Sequence, residues 1–365
     1  EMTHSKVFQF FRYHVVGEHT RPNMNAMLLG EDTWKPEEEQ YRSWSDDERN
    51  VTEGDIWPSD DGHANWTVLA VSTSTPILLW QPPPANETTQ TPPPVTTAKM
   101  VRPRPHGPVI RQWRHAASLW IHEMCQDFIG EQYLLQRPQD DPGLDHEVIA
   151  PFCHPDYDAP KSKHGNNFVG PYAMGGRCLG AEPPHKLALS ALEQFHTQYA
   201  NVTRLSISTL MEAHEGTGDV IASLDADFAA SLSRLTSSSQ DSITILMSDH
   251  GSHMGPYKSF FTAGWMENKL PLFFVIVPKS LLPHLPLGGR YLHANQQKLV
   301  TPFDLHMSLS NLANGVWPNQ PQDDSDSSKL WPPFAFDIFS ELVPTNRTCS
   351  QARIPAEHCL CDRDL

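Results

Sequence analysis

The sequence predicts an α/β fold, with a mostly parallel central sheet and helices on both of its faces. Three observations lead to this. The runs Ile243-Thr244-Ile245-Leu246-Met247 and Leu272-Phe273-Phe274-Val275-Ile276-Val277 are short and almost wholly apolar, as strands buried on both faces are. Ahead of them Val220, Ile221, Leu224, Phe228, Leu232 and Leu235 recur every three or four residues, the stripe of an amphipathic helix. Directly after the first run comes Ser248-Asp249-His250-Gly251, at the carboxyl end of a strand, where open α/β sheets carry their sites.

Taken in order, the segment Thr20-Arg21-Pro22 is a helix start, with a hydroxyl cap and a proline in the first turn. Residues 1–58 hold it together with an acidic loop. Residues 59–118 change character: Pro82-Pro83-Pro84 and Pro92-Pro93-Pro94 lie among Thr, Gln and Asn, and a basic stretch runs from Arg102 to Arg114. Such sequence lacks the apolar surface to fold, which predicts a disordered insertion. A protein-binding polyproline segment is the alternative. The fold resumes near Leu119. Leu187, Leu189, Leu192, Phe195 and Tyr199 approximate helical spacing, and Val202 to Ile207 reads as a strand. After the two apolar strands, Thr301-Pro302-Phe303-Asp304 is a capping box that opens a helix with Phe303, Leu309 and Leu312 inward. Residues 119–345 thus form the remainder of the core, and 346–365 a cysteine-rich tail.

The 365 residues suffice for a large core. Their net charge is −16, from 43 acidic against 27 basic residues. That field repels phosphate backbones and anionic bilayers and argues against nucleic acid as a partner. No run of about 20 apolar residues is present, so no membrane span is expected. There are six cysteines, Cys125, Cys153, Cys178, Cys349, Cys359 and Cys361, and glycosylation sequons at Asn50, Asn65, Asn86, Asn201 and Asn346. Together they predict disulfides, glycans and an extracellular or lumenal setting. His154 beside Cys153 and His358 beside Cys359 match no zinc-site spacing, so the cysteines read as disulfide partners. The tail pairs Cys349 with Cys359 or Cys361. The sequence begins Glu1-Met2 with no visible signal peptide and reads as a fragment or processed form, membrane tethering through an earlier segment being one expectation.

The chemistry rests on two motifs. Asp249 and His250 suit a divalent zinc-like ion, with manganese as the alternative. Gly255, Lys258, Gly264, Glu267 and Pro271 follow. This stretch resembles the C-terminal core of the alkaline phosphatase and sulfatase superfamily, in which such a turn supplies metal ligands and a Glu-x-x-x-Pro segment enters the next strand. Thr20 to Gly30 resembles the sulfatase nucleophile motif. Thr20 falls on the nucleophile, Pro22 on its proline and Gly30 on its last glycine, whereas Asn23 and Met24 replace the motif Ser and Arg. Thr in place of the formylglycine-forming Cys is the pattern of the phosphate-transferring branches. Val15 to Asn23, Arg177-Cys178-Leu179-Gly180 with His185, and the tail cysteines resemble more narrowly the sulfatase-like family known as domain of unknown function 229.

The resemblance implies an alkaline-phosphatase-like three-layer sandwich with Thr20 as nucleophile, and with Asp249, His250 and Thr20 on the metal. It implies anion or second-metal contact by His214, and substrate contact by Lys258 and Asn23, with His253 behind the metal turn. The superfamily's first core strand ends in a metal-binding Asp ahead of the nucleophile. No such segment precedes Thr20, so the first strand and one ligand are expected to be missing. Two functions follow. The first is a metal-dependent hydrolase or transferase of phosphate-type esters acting on a small anionic ester or a glycan or lipid head group. The second is a secreted glycoprotein that keeps the fold without catalysis. Sulfate-ester hydrolysis is a weaker third reading.

Overall fold

A computed structural model describes residues 4–18, 20–30, 77–80, 116–122, 145–148, 181–210, 212, 219–238, 242–251, 255–314 and 334–360. The fold is mixed α/β. Its strands are β1 (Ser5–Gln9), β2 (Ile77–Trp80), β3 (Ala117–His122), β4 (His146–Val148), β5 (Arg204–Thr209), β6 (Ile243–Met247) and β7 (Phe273–Pro278). They form one seven-stranded sheet in the order β1-β7-β6-β2-β5-β3-β4. The helices are α1 (Thr20–Leu29), α2 (Pro184–Gln198), α3 (Asp219–Ser238), α4 (Gly255–Phe260), α5 (Thr262–Lys269), α6 (Arg290–Asn295) and α7 (Pro302–Asn314).

The expected mostly parallel sheet is corrected in its pairings. β3 pairs in parallel with β4 and β5, whereas β1·β7, β7·β6, β6·β2 and β2·β5 are antiparallel. The reversal at the centre comes from β2, which opposes Ile77 to Leu246 and Leu79 to Ser206 between two strands that point the same way. β2 falls within residues 59–118, where Ile77-Leu78-Leu79-Trp80 is a short apolar run. The insertion's residues other than 77–80 and 116–118 lie outside the described residues.

Alternation along the strands sends side chains to the two faces. On β3, Trp120 joins a core with Met24 and Leu28 of α1, Leu305 and Leu309 of α7, and Phe273, Val275 and Val277 of β7. Its neighbours Leu119 and Ile121 join a second core with Leu189, Leu192 and Phe195 of α2 and Leu235 of α3. Helices therefore cover both faces of β3, as the strand–helix alternation predicts. The capping box at α7 forms: the Asp304 carboxylate accepts from the Thr301 backbone N–H at 2.8 Å and from its hydroxyl at 3.2 Å. Phe303, Leu309 and Leu312 are buried as expected.

The tail closes over the head of α1. Cys349 and Cys359 form a disulfide and share a core with Val16, Ala26, Phe303 and Ile354. Cys361, Cys125, Cys153 and Cys178 lie outside the described residues, as do the sequons at Asn50, Asn65 and Asn86, whereas Asn201 and Asn346 are exposed. Among the described residues no helix is long and apolar enough to cross a membrane.

Candidate active site

The approach to Thr20 is fixed by backbone. His14 N donates to Val300 O at 2.8 Å and Val15 N to Lys269 O at 3.1 Å, which guides the chain from β1 toward α1. Gly17 then passes so close to Pro22 that a Cβ would lie 2.3 Å from its ring. Asn23 reaches back from the first turn of α1. Its side-chain oxygen accepts from Val16 N at 2.8 Å and Gly17 N at 3.3 Å, and its amide donates to Gly17 O at 3.0 Å. The residue is buried. Asn23, expected as a substrate contact, holds the turn that presents Thr20.

The turn Ser248–Gly251 is fixed from the other side. Ser248 N extends the β6–β7 ladder by donating to Leu272 O at 2.8 Å, and the Ser248 hydroxyl donates to His250 O at 2.5 Å. Gly251 N donates to Asn268 O at 3.2 Å, and a Cβ on Gly251 would lie 2.1 Å from Glu267 O. The glycine of the motif is thus required by close approach to the end of α5. The same segment, 267–271, carries the Glu-x-x-x-Pro pattern, so the two motifs pack on each other.

These two turns bring together residues 230 positions apart: the Thr20 hydroxyl lies 3.3 Å from His250 Nε2. Asp249 Oδ2 lies 3.4 Å from the same nitrogen, and Asp249 and His250 have no exposed surface. The other imidazole nitrogen, Nδ1, donates to Gly251 O at 2.8 Å. A carbonyl only accepts, so Nδ1 carries the proton and Nε2 presents a lone pair toward Thr20 and Asp249. A lone pair and a carboxylate at this separation, both out of water, are complementary to a cation shared between them, whether a proton or a metal ion. Nδ1 bound to a backbone carbonyl is also how metal-ligating histidines are oriented. The donor set is one imidazole, one carboxylate and one hydroxyl. Among the described residues no group of three or more His, Cys, Asp or Glu residues is arranged so that it could hold a metal ion. His214 and His253 lie outside the described residues.

Lys258 pairs with the Glu18 carboxylate, half-buried, at the rim beside Thr20. Its charge is met here by Glu18. No local pattern points to this pair, because Glu18 and Lys258 are 240 positions apart. Two buried groups near the turns, Lys269 and His14, were not singled out in the sequence. Lys269 Nζ donates to His358 Nδ1 at 2.9 Å. Burial lowers the pKa of His358 to about 4, and nearby Lys269 adds to this. Burial also lowers His14 to about 4. On the opposite core, His185 bridges Glu212 at 2.9 Å and Asp227 at 3.0 Å. Burial opposes charging of His185, but the two carboxylates prevail and raise its pKa.

Neither a curated protein nor a solved structure matches the chain. The family described as Protein of unknown function (DUF229) matches residues 165–365, more than half of the sequence and the part that holds Asp249, His250, Lys258 and the tail. The chain belongs to the DUF229 family.

Proposed function

We propose that this protein is a metal-dependent hydrolase or transferase of phosphate-type esters, less readily of sulfate esters, built on an alkaline-phosphatase-like three-layer core. The observation that supports this reading is the meeting of the Thr20 hydroxyl, the Asp249 carboxylate and the His250 Nε2 lone pair at the head of α1. Asp249, His250 and Thr20 would hold a divalent ion, zinc or manganese, which makes an alkoxide accessible near neutral pH and offsets charge on the ester. Thr20 Oγ1 bonds to phosphorus as the leaving oxygen departs, solvent takes the hydroxyl proton, and water or an acceptor alcohol later frees Thr20. The backbone N–H groups that open α1 face charge developing there. His250 is kept in one tautomer by Gly251, and Asn23 keeps the Thr20 turn closed. The substrate is a small anionic ester or a glycan or lipid head group. The Cys349–Cys359 bond and the exposed Asn201 and Asn346 support an extracellular or lumenal site of action.

One observation favours a second reading, a non-catalytic glycoprotein: Asn23 and Lys258, the expected substrate contacts, are committed to Gly17 and Glu18. Zinc-loaded protein assayed on p-nitrophenyl phosphate, bis(p-nitrophenyl) phosphate and p-nitrophenyl sulfate separates the readings. The proposal expects turnover of a phosphate ester, lost on chelation and in Thr20→Ala, with zinc affinity within a few-fold of the parent. Zinc binding without turnover of any ester supports the second reading. Turnover that survives chelation assigns Thr20 and His250 as a metal-free nucleophile and base.

A further inference from the structure

On and just after α4, the helix whose Lys258 reaches Glu18, lies a group of exposed aromatic rings. Phe260 is 80% exposed, Phe261 59% and Tyr257 40%. Rings of this size bury where they can, and clustered exposure marks a contact surface. The group stands at the rim of the site. α4 opens just past Gly251, and its Lys258 reaches Glu18, next but one before Thr20.

The ledge is built, not loose. Tyr257 and Phe261 stack with ring centroids 5.9 Å apart and planes at 30°. Phe261 N donates to Tyr257 O at 3.1 Å and Gly264 N to Phe261 O at 3.0 Å. Gly264 lets α5 press against the Tyr257 carbonyl, where a Cβ would lie 2.5 Å away. The half-buried Glu267 carboxylate is near enough to Tyr257 to add, after burial, to the rise in its pKa. Lys258 and Glu18 cancel each other, and Glu267 brings a carboxylate to the edge of the stacked rings.

Aromatic faces with a carboxylate at their edge attract a cation: the ring quadrupole and the carboxylate act in the same direction. The net charge of −16 further concentrates cations at the surface. A neutral or anionic occupant would gain neither term. With a phosphoryl group at Thr20, the ligand that satisfies both ends is an ester with a positive arm.

We propose that Tyr257, Phe261 and Glu267 form a subsite for the alkylammonium group of a zwitterionic phosphoester, as a free head group of the phosphocholine type or the same head group on a lipid. This rests on the ester chemistry proposed above, but the ammonium subsite is testable without turnover. The full chain is titrated calorimetrically with choline and with 3,3-dimethylbutan-1-ol, its uncharged isostere. Choline should bind several-fold more tightly than the isostere. Phe261→Ala and Glu267→Gln should each weaken choline by roughly two- to five-fold, and Thr20→Ala should leave it unchanged. Phe261 is exposed, so its variant is expected to fold, and Glu267→Gln keeps the side-chain shape. Equal binding of the isostere, or no choline binding, overturns the subsite. Two further titrations of zinc-loaded protein distinguish the source: tighter binding of phosphocholine than of choline supports a free head group, and co-sedimentation with phosphatidylcholine vesicles that Phe261→Ala abolishes supports a lipid. Choline binding with no gain in either titration disconnects the ledge from Thr20 and overturns the proposal, while zinc-dependent turnover of aryl phosphates reports separately on the ester chemistry.

Discussion

Gly251→Ala probes how the two motifs hold each other. The added Cβ would lie 2.1 Å from Glu267 O, 2.6 Å from Glu267 C and 3.0 Å from Asn268 Cα. All three are backbone atoms at the end of α5, so no side chain can swing aside. A methyl carbon sits comfortably at about 3.5 Å from its neighbours, and the turn and the helix must part by roughly 1.4 Å. That separation breaks the bond from Gly251 N to Asn268 O at 3.2 Å and strains the one from the Asn268 amide to Gly251 O at 3.3 Å. Overpacking strain of about 1–3 kcal/mol and the two hydrogen bonds at about 1 kcal/mol each together give a loss of about 3–5 kcal/mol. Set against a typical stability of about 5–15 kcal/mol, this is large but survivable. Because His250 Nδ1 is held by the Gly251 carbonyl, zinc affinity should fall by roughly 10- to 100-fold as well. Urea unfolding and zinc competition with a chromophoric chelator read the two effects. A variant with parental stability and parental zinc affinity would refute the reasoning.

The Arg347 guanidinium donates to Asp304 Oδ2 at 2.7 Å and Leu299 O at 3.0 Å, with both partners of the ion pair buried. Arg347→Met should therefore cost about 3–5 kcal/mol by denaturant titration, whereas Arg234→Met at the exposed pair with Glu193 should stay within about 1 kcal/mol. Replacing both Cys349 and Cys359 by Ala should lower stability by about 2–4 kcal/mol for a loop of sequence separation 10, read from the urea midpoint with and without reductant. Burial lowers His14, His306 and His358 from the ordinary 6.5 to about 4. The unfolded chain then binds more protons between these limits, so the stability they contribute is present above pH 6.5 and lost as pH falls toward 4. Each histidine contributes at most about 1.4 kcal/mol per pH unit in that window. His306→Gln should flatten the decline measured by urea titration from pH 7 to 4.5.

How much was legible in the sequence follows from the range of the forces involved. β6, β7, α3 and the α7 capping box rest on local periodicity and capping, and all four lie where the sequence places them. The meeting of Thr20 with His250 was anticipated through resemblance, since no local rule joins residues so distant. β1 was missed because Ser5-Lys6-Val7-Phe8-Gln9 alternates weakly; it is an edge strand whose Val7 is exposed while Phe8 is buried. β2 was missed because the prolines around Ile77–Trp80 outweighed a four-residue apolar run. Asn23 and Lys258 were assigned by motif position. The backbone of Gly17 and the Glu18 carboxylate claim them, and nothing in linear spacing reveals such partners.

The central claim is that Thr20, Asp249 and His250 share one divalent ion. A crystal structure of the zinc-loaded protein with anomalous scattering collected at the zinc edge tests it most directly. The account predicts a single zinc peak about 2 Å from His250 Nε2, an Asp249 carboxylate oxygen and Thr20 Oγ1, with His250 Nδ1 still donating to Gly251. A peak elsewhere, or none at zinc concentrations that saturate the protein in solution, would contradict it.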